Sequence, residues 1–391
     1  MELLVGWSSP AHRHRVWDGR GIVSDPDICT TEPNRLVLSR NASGRPCRNP
    51  ESASRGTRAE RGRSHLVSTI SYVEAIVIGG LQGITELFPV SSLGHSIIIP
   101  ALIGGRWATD LSVATPESPY LAFVVGLHVA TAAALLVFFW RDWVRIVGGF
   151  ASSIRYRRIT TDGERLAWLI VLATIPVGLA GLLLEHLFRT VLGRPMPAAA
   201  FLFANGLILL LGERLRRRAT PERVAVGRLA DTTTVSHRRT DATSDAQRSE
   251  QGQDPDDDRQ SDARLARVHL GRGVLIGSAQ ILALLPGISR SGVTMVAGLT
   301  QGLSHRDAAR FSFLLATPVI LAAGVLKIPD LFGPLGAGIG GQIAAGSGAA
   351  FVCAYLSVRF LDRYFRSRTL IPFAIYSLAF GATAFVILAL R

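Results

Sequence analysis

The stretch GGLQGITELFPVSSLGHSIII, residues 79–99, decides how this chain is read. It is apolar enough for a membrane, yet it holds Glu86, Pro89, His95 and a run of glycines and serines. Gln82 and Glu86 are four residues apart, so on a helix they share a face. Pro89 disfavours helical backbone at Phe88 and ends the helix near there. Ser91, Ser92, Leu93, Gly94 and His95 then present two hydroxyls and an imidazole. An ionisable group at a bilayer centre costs about 2.5–3.5 kcal/mol on insertion scales, which makes Glu86 a candidate for chemistry. The competing reading is structural, with Glu86 hydrogen-bonded to Gln82 and the turn.

A second stretch matches the first without gaps. GLQGITELFPVSSLG (Gly80–Gly94) aligns with GSAQILALLPGISRS (Gly277–Ser291), placing Gly80 on Gly277, Pro89 on Pro286 and Ser92 on Ser289. Two Gly/Pro-interrupted apolar segments in corresponding halves point to a site at a repeat interface near the bilayer midplane. In PGISRSGVT, Arg290 stands between Ser289 and Ser291 and beside Gly287 and Gly292. Glycines let backbone N–H groups approach a ligand, and a guanidinium matches phosphate oxygens bidentately. A return helix starting at Thr294 would add its dipole to this anion nest. The bland alternative is an arginine snorkelling to an interface.

The two turns are complementary. A carboxylate alone repels phosphate, so Glu86 implies a divalent cation such as Mg²⁺, with Gln82 as a second candidate ligand. An imidazole beside a serine can activate a nucleophile or protonate a leaving group. The expected substrate is a phosphate ester or diphosphate carrying its own lipid tail.

The rest of the chain fits that reading. Of 391 residues, 48% are hydrophobic and 18% charged, against about 25% charged in soluble domains. Long uncharged runs alternate with arginine-dense patches, as in polytopic membrane proteins. The net charge of +13 therefore marks the ends of apolar runs, and no zinc-finger or basic–aromatic pattern suggests nucleic acid. Cys29, Cys47 and Cys353 give neither a disulfide framework nor a metal spacing. No signal-peptide layout opens the chain, and the first methionine after Met1 is Met196.

The expected fold is an all-α polytopic integral membrane protein with inverted-topology repeats, six full transmembrane helices and two re-entrant helical hairpins. Its parts are a disordered basic tail (1–66), a first membrane repeat (67–213), a disordered cytoplasmic loop (214–270) and a second membrane repeat (271–391). Full spans are expected at 119–140, 166–188, 197–213, 309–328, 336–358 and 369–390, with broken segments at 70–104 and 271–303. Arginines at 141–165, in the long loop and at 359–368 place those connections in the cytoplasm. The first broken segment then dips in from outside and the second from inside, leaving the basic tail outside, against the positive-inside trend. A cytoplasmic tail would instead require the first segment to cross fully, and one later connection would lose its positive-inside fit. His128, alone mid-span, reads as a packing partner; Glu185 and His186 as a solvated span end; Asn205 as a link between helices.

These residues resemble the undecaprenyl-diphosphate phosphatase family of bacteria, the bacitracin-resistance type. LQGITELFPVSSLGH and LPGISRSGVT are similar to its two signature motifs. FWRD (Phe139–Asp142), FSFLLATPVILAAG (Phe311–Gly324) and IPFAIYSLAFG (Ile371–Gly381) resemble its other shared stretches. The resemblance covers about 70–390 apart from the 214–265 insert. It implies hydrolysis of undecaprenyl diphosphate to undecaprenyl phosphate and inorganic phosphate, dependent on Mg²⁺ or Ca²⁺, with carrier recycling for peptidoglycan and bacitracin resistance. The implied location is the plasma membrane, multi-pass, with the site open to the outer face. By resemblance Glu86 is the metal-linked carboxylate, Ser92 and His95 are alternative nucleophiles or an acid–base pair, and Arg290 holds the phosphate. The family's first acid is Gln82 here, against a mechanism needing two carboxylates. Ser91, Gly287, Ser289, Ser291, Gly292 and Thr294 complete the expected phosphate-binding set.

Another lipid-phosphatase class is excluded, because its Lys-x₆-Arg-Pro motif needs a lysine that the chain, with Lys327 alone, cannot supply. The rival from a different class is a transporter of polyprenyl phosphate, which needs Arg290 but no acid–base cluster.

Overall fold

The computed structural model describes residues 70–111, 119–187, 193–230, 255–332 and 338–391. The expected tail and the middle of the long loop (231–254) lie outside the described residues, as do the side chains of Glu185 and His186.

The described residues are helical. Helix α1 (Tyr72–Thr85) starts in a capping box: Ser71 Oγ accepts from Glu74 N–H (3.2 Å), and Glu74 Oε2 accepts from Ser71 N–H (2.8 Å). It stops short of Pro89, and after a turn α2 (Ser92–Ile103) leads back, followed by the short α3 (Gly105–Asp110). Helix α4 (Pro119–Phe138) turns through 87° at Phe139 into α5 (Trp140–Tyr156). Helices α6 (Asp162–Leu187) and α7 (Pro195–Ala230) follow. The second half has α8 (Pro255–Ala266), then α9 (Leu270–Ser278), which tightens into a 3₁₀ turn at Ala279–Leu284. It continues with α10 (Arg290–Thr300), α11 (His305–Phe332), α12 (Gly340–Tyr364) and α13 (Ile371–Leu390).

Among the described residues, five helices are long and apolar enough to cross a membrane, or six if the bent α4–α5 pair is one span. The pairs α1–α2 and α9–α10 are too short to cross and meet at their turns. Polarity is inverted relative to a water-soluble protein. Leu182 and Leu183 on α6 are 67% and 80% exposed, while Gln82, Glu86 and Asn205 are buried.

The broken pairs are seated by small residues. A side chain added at Gly79 or Gly83 of α1 would overlap the backbone of Gly346 or Ala350 on α12. One added at Gly277 of α9 would overlap the Ala173 backbone of α6. Close backbone approach of this kind is how membrane helices gain packing without a hydrophobic effect between them. The arrangement is reciprocal: the first limb of each pair leans on a long helix of the other half.

The disordered reading of 214–270 is corrected at both ends. Helix α7 runs on to Ala230, and α8 occupies Pro255–Ala266 with Ser261 and Leu265 fully buried. No apolar period announced α8 because charge docks it. Asp262 pairs with Arg145 (2.7 Å) and Arg310 (3.0 Å), Arg264 pairs with Asp307 (2.9 Å), and Ser261 Oγ donates to Asp307 (2.5 Å). Asp142 completes the cluster with Arg310 (2.9 Å) and Arg145.

Candidate active site

Glu86 is the residue at which α1 ends, its N–H still bonded to the Gln82 carbonyl (2.9 Å). The turn that follows forces Ser91 to φ +68°, a strain of about 1–3 kcal/mol for a non-glycine residue. The Ser91 hydroxyl nonetheless caps α2, accepting from Gly94 N–H (3.3 Å). On the other side Gly287 has φ +112°, and a Cβ there would sit 2.7 Å from Leu202 N. The two turns touch, since a Cβ on Gly94 would lie 2.9 Å from Gly287 Cα.

Asn205 of α7 bolts them together. Its Nδ2 donates to the Pro89 carbonyl of one turn (3.0 Å), and its Oδ1 accepts from Ser289 N–H of the other (3.0 Å). Ser291 Oγ adds a bond to the Phe88 carbonyl (3.2 Å).

The junction brings the charges into contact. Arg290 Nη2 donates to Glu86 Oε1 at 2.9 Å, and Ser92 Oγ donates to Glu86 Oε2 at 2.5 Å. Gln82 Nε2 donates to the same Oε2 (3.0 Å). His128 arrives from α4. Its Nδ1 must donate to the Val124 carbonyl (2.8 Å), so in the neutral ring Nε2 is an acceptor. That nitrogen receives the second Gln82 N–H (3.1 Å) and lies 3.6 Å from Glu86 Oε2. Arg290 Nη1 is buried and has no partner among the described residues. A guanidinium N–H left so would be costly unless a ligand oxygen takes it.

A cavity of about 320 Å³ opens beside this cluster. Glu86, Ser91, Ser92, His128, Ser289 and Arg290 form its polar part, while Val124, Val177, Val319 and Ile320 line its walls. Gln280 and Lys327 also line it. A serine O–H held on a carboxylate, next to a half-used guanidinium fork and apolar walls, suits attack on the phosphate of an amphiphile.

The family model described as bacitracin resistance protein BacA matches residues 75–383. The chain belongs to this family. A relative from Mycolicibacterium paratuberculosis, named undecaprenyl-diphosphatase, is 66% identical over 326 residues, covering 83% of this chain and 100% of its own length. Undecaprenyl-diphosphatase 1 of Frankia casuarinae is 53% identical over 366 residues (82% of this chain, 99% of the relative). An undecaprenyl-diphosphatase of Acidiphilium cryptum is 40% identical over 320 residues (80% and 97%).

Of the residues singled out in the sequence, Glu86, Ser92 and Arg290 are in direct contact, Gln82 is bonded to Glu86, and Ser91 and Ser289 line the same cavity. His95 does not line the cavity; it packs beside Tyr376 and Phe380 of α13, with ring centroids 5.7 and 5.0 Å away. Its Nδ1 donates to the Ser91 carbonyl (2.7 Å), leaving Nε2 to accept from Tyr376 O–H (2.8 Å). Both nitrogens are therefore occupied within the protein.

The anion nest is also smaller than expected. Gly287, Ser291, Gly292 and Thr294 do not line the cavity. Gly287 packs on α7, the Gly292 N–H goes to Ser289 Oγ (3.2 Å), and the Thr294 hydroxyl goes to the Arg290 carbonyl (2.7 Å). Helix α10 begins at Arg290, so Thr294 is already in its second turn. Sequence reasoning read Asn205 as a link between helices, as found, undervalued His128, and gave no role to Lys327, whose one signal is that it is the chain's only lysine.

For a divalent cation the site offers the Glu86 carboxylate, the Gln82 amide and the Ser92 hydroxyl, all able to supply the hard oxygen ligands that Mg²⁺ and Ca²⁺ prefer. Among the described residues no group of three His, Cys, Asp or Glu side chains gathers there. The residues fit an ion that the substrate's own phosphate oxygens help to hold.

Proposed function

We propose that this chain hydrolyses undecaprenyl diphosphate to undecaprenyl phosphate and inorganic phosphate, returning the lipid carrier to peptidoglycan synthesis and conferring bacitracin resistance. The observation that carries the reading is the Ser92–Glu86–Arg290 contact on an apolar-walled cavity. The names of the relatives supply the substrate.

Ser92 Oγ attacks the terminal phosphorus while Glu86 Oε2, already 2.5 Å away, accepts its proton. Arg290, oriented through Nη2 on Glu86, gives Nη1 to a phosphate oxygen, where negative charge grows in the transition state. The bond from the terminal phosphorus to the bridging oxygen breaks, and undecaprenyl phosphate leaves with the proton that Glu86 took from Ser92. Water then attacks the phosphoserine, Glu86 takes the proton of the water and returns it to Ser92 Oγ, and Ser92 is restored as phosphate departs. Glu86, with Gln82 beside it, would hold Mg²⁺ or Ca²⁺, which when bound neutralises phosphate charge.

The lipid-linked substrate enters from the bilayer, in a bacterial plasma membrane that the chain crosses several times, with the cavity open to the outer face. Arginine-dense ends at 141–165 and 359–368 support that orientation, and the reciprocal packing supports inverted repeats. Nucleic acid has no part in the reading. A transporter would need the Arg290 clamp but not a serine donating to a carboxylate.

Purified full-length protein in detergent, given undecaprenyl diphosphate and Mg²⁺, should release phosphate, and Glu86→Ala should stop it. Release unchanged in Glu86→Ala, or lipid transport without release in proteoliposomes, would overturn the reading.

A further inference from the structure

We infer that a groove at the end of α12 binds the phosphate headgroup of an anionic phospholipid. The groove shares no lining residue with the catalytic cavity, and the inference does not depend on the reaction proposed above.

The groove measures about 530 Å³ and forms where α12 ends and the chain turns toward α13. Leu356, Phe360 and Tyr364 give its apolar part; Arg359, Arg363, Ser367 and Arg368 give its polar part.

Charge is the first reason. The run RFLDRYFRSR (Arg359–Arg368) holds four arginines and one carboxylate, Asp362, which Arg366 takes at 3.3 Å. The guanidinium groups of Arg359, Arg363 and Arg368 make no ion pair among the described residues. Elsewhere arginines are matched: Arg145 and Arg310 meet Asp142 and Asp262, and Arg264 meets Asp307. Like charges around one groove repel each other until an anion enters. The dipole at the end of α12 accounts for one cation in the last turn, not for three. Two guanidinium forks a helical turn apart, a third from the turn and the Ser367 hydroxyl form a donor set suited to phosphate oxygens.

Position is the second. Leu356 and Phe360, 59% and 51% exposed, share a helical face with Arg363. From Leu356 to Arg363 the helix rises about 10 Å. The face passes from apolar to cationic where the candidate span Gly340–Tyr364 ends, in the order that a lipid presents acyl chain and phosphate. Free phosphate would meet the arginines and leave the apolar part uncovered. Basic pockets at this level of a membrane protein suit anionic headgroups.

Rigidity is the third. Phe360 stacks on Phe88 (5.9 Å) and Tyr364 (5.6 Å), and Tyr364 meets Phe373 edge-on (5.3 Å). The Tyr364 O–H also donates to the Thr369 carbonyl (3.3 Å). The apolar wall is thus held before a ligand arrives, which lowers the ordering cost of binding.

The test uses purified full-length protein in uncharged detergent, titrated with phosphatidylglycerol or with phosphatidylcholine of the same chains. Native mass spectrometry reads the first lipid bound. Arg359→Gln, Arg363→Gln and Arg368→Gln together should weaken phosphatidylglycerol by about tenfold or more and leave phosphatidylcholine unchanged. Removing three arginines elsewhere, by Arg155→Gln, Arg157→Gln and Arg158→Gln, should leave the phosphatidylglycerol affinity within about twofold. No weakening in the first triple variant, or equal weakening in both, would overturn the inference. A second measurement on wild type decides the matter if a variant does not fold. Phenylglyoxal modifies arginine side chains, and peptide mapping reads each position. Phosphatidylglycerol should slow modification of Arg359, Arg363 and Arg368 more than that of Arg155, Arg157 and Arg158, and inorganic phosphate should not. Absent protection, equal protection of both groups, or equal protection by inorganic phosphate would also overturn the inference.

Discussion

Glu86 accepts from three side chains at once: Ser92, Gln82 and Arg290. Removing any donor changes what the others see. Arg290→Lys keeps a charge but cannot bond Glu86 and a phosphate through one planar fork. Turnover should fall by about 10²-fold or more, measured as phosphate release at saturating substrate; near wild-type turnover would dismiss Arg290 as the clamp. Ser92→Ala should abolish release, and labelled substrate should leave phosphate on Ser92 of wild type but not of the variant. A variant that still turns over at wild-type rate would make water the nucleophile. For His95, Tyr376→Phe removes the donor to Nε2 while keeping the stacked ring. Stability should drop by about 0.5–1.5 kcal/mol, with turnover nearly intact; a collapse of turnover at unchanged stability would return His95 to the chemistry.

At the scale of elements, the site exists because two broken helix pairs are held turn to turn. Asn205→Leu is the informative change, since it leaves the Pro89 carbonyl and the Ser289 N–H unpaired in a buried place. The expected loss is about 1–3 kcal/mol per orphaned group, read by thermal unfolding in detergent, with a fall in kcat as the turns separate. A variant as stable and active as wild type would show that the turns meet without this bolt. Helix α8 is held differently, by charge. Arg310→Ala would leave the buried Asp142 and Asp262 with Arg145 as their shared partner, and destabilisation of about 1.5–3 kcal/mol is expected. Tryptic cleavage within α8 should also become faster as it undocks.

For the whole molecule, the family match begins at residue 75, past the entire basic tail. Deleting 1–66 should leave turnover within about twofold of wild type, because the match, the turns and the cavity all lie beyond it. A larger loss would assign the tail a part in the site. The membrane class and the two turns were legible because each rests on local sequence: long uncharged runs, a proline that stops a helix, a carboxylate in an apolar segment. Helix α8 was not legible, since its partners Arg145, Asp307 and Arg310 lie far off in sequence and it has no apolar stripe to reveal it. The surroundings of His95 were not legible for the same reason, since nearness to Ser92 in sequence says nothing of the rings of α13 that pack beside it.

The sequence by itself determined that the chain is a membrane protein, that its polar groups sit at two helix breaks, and that those breaks carry opposite charges. Only the tertiary structure decided which groups meet. Glu86 and Arg290 are 204 positions apart and bond through one face of each turn, while His128, Asn205 and Lys327 come to the same place from three other helices. Helical period and proline act over a few residues and can be read along the chain. Contact between side chains hundreds of residues apart depends on how glycine-lined helices pack, and that is a property of the assembled fold.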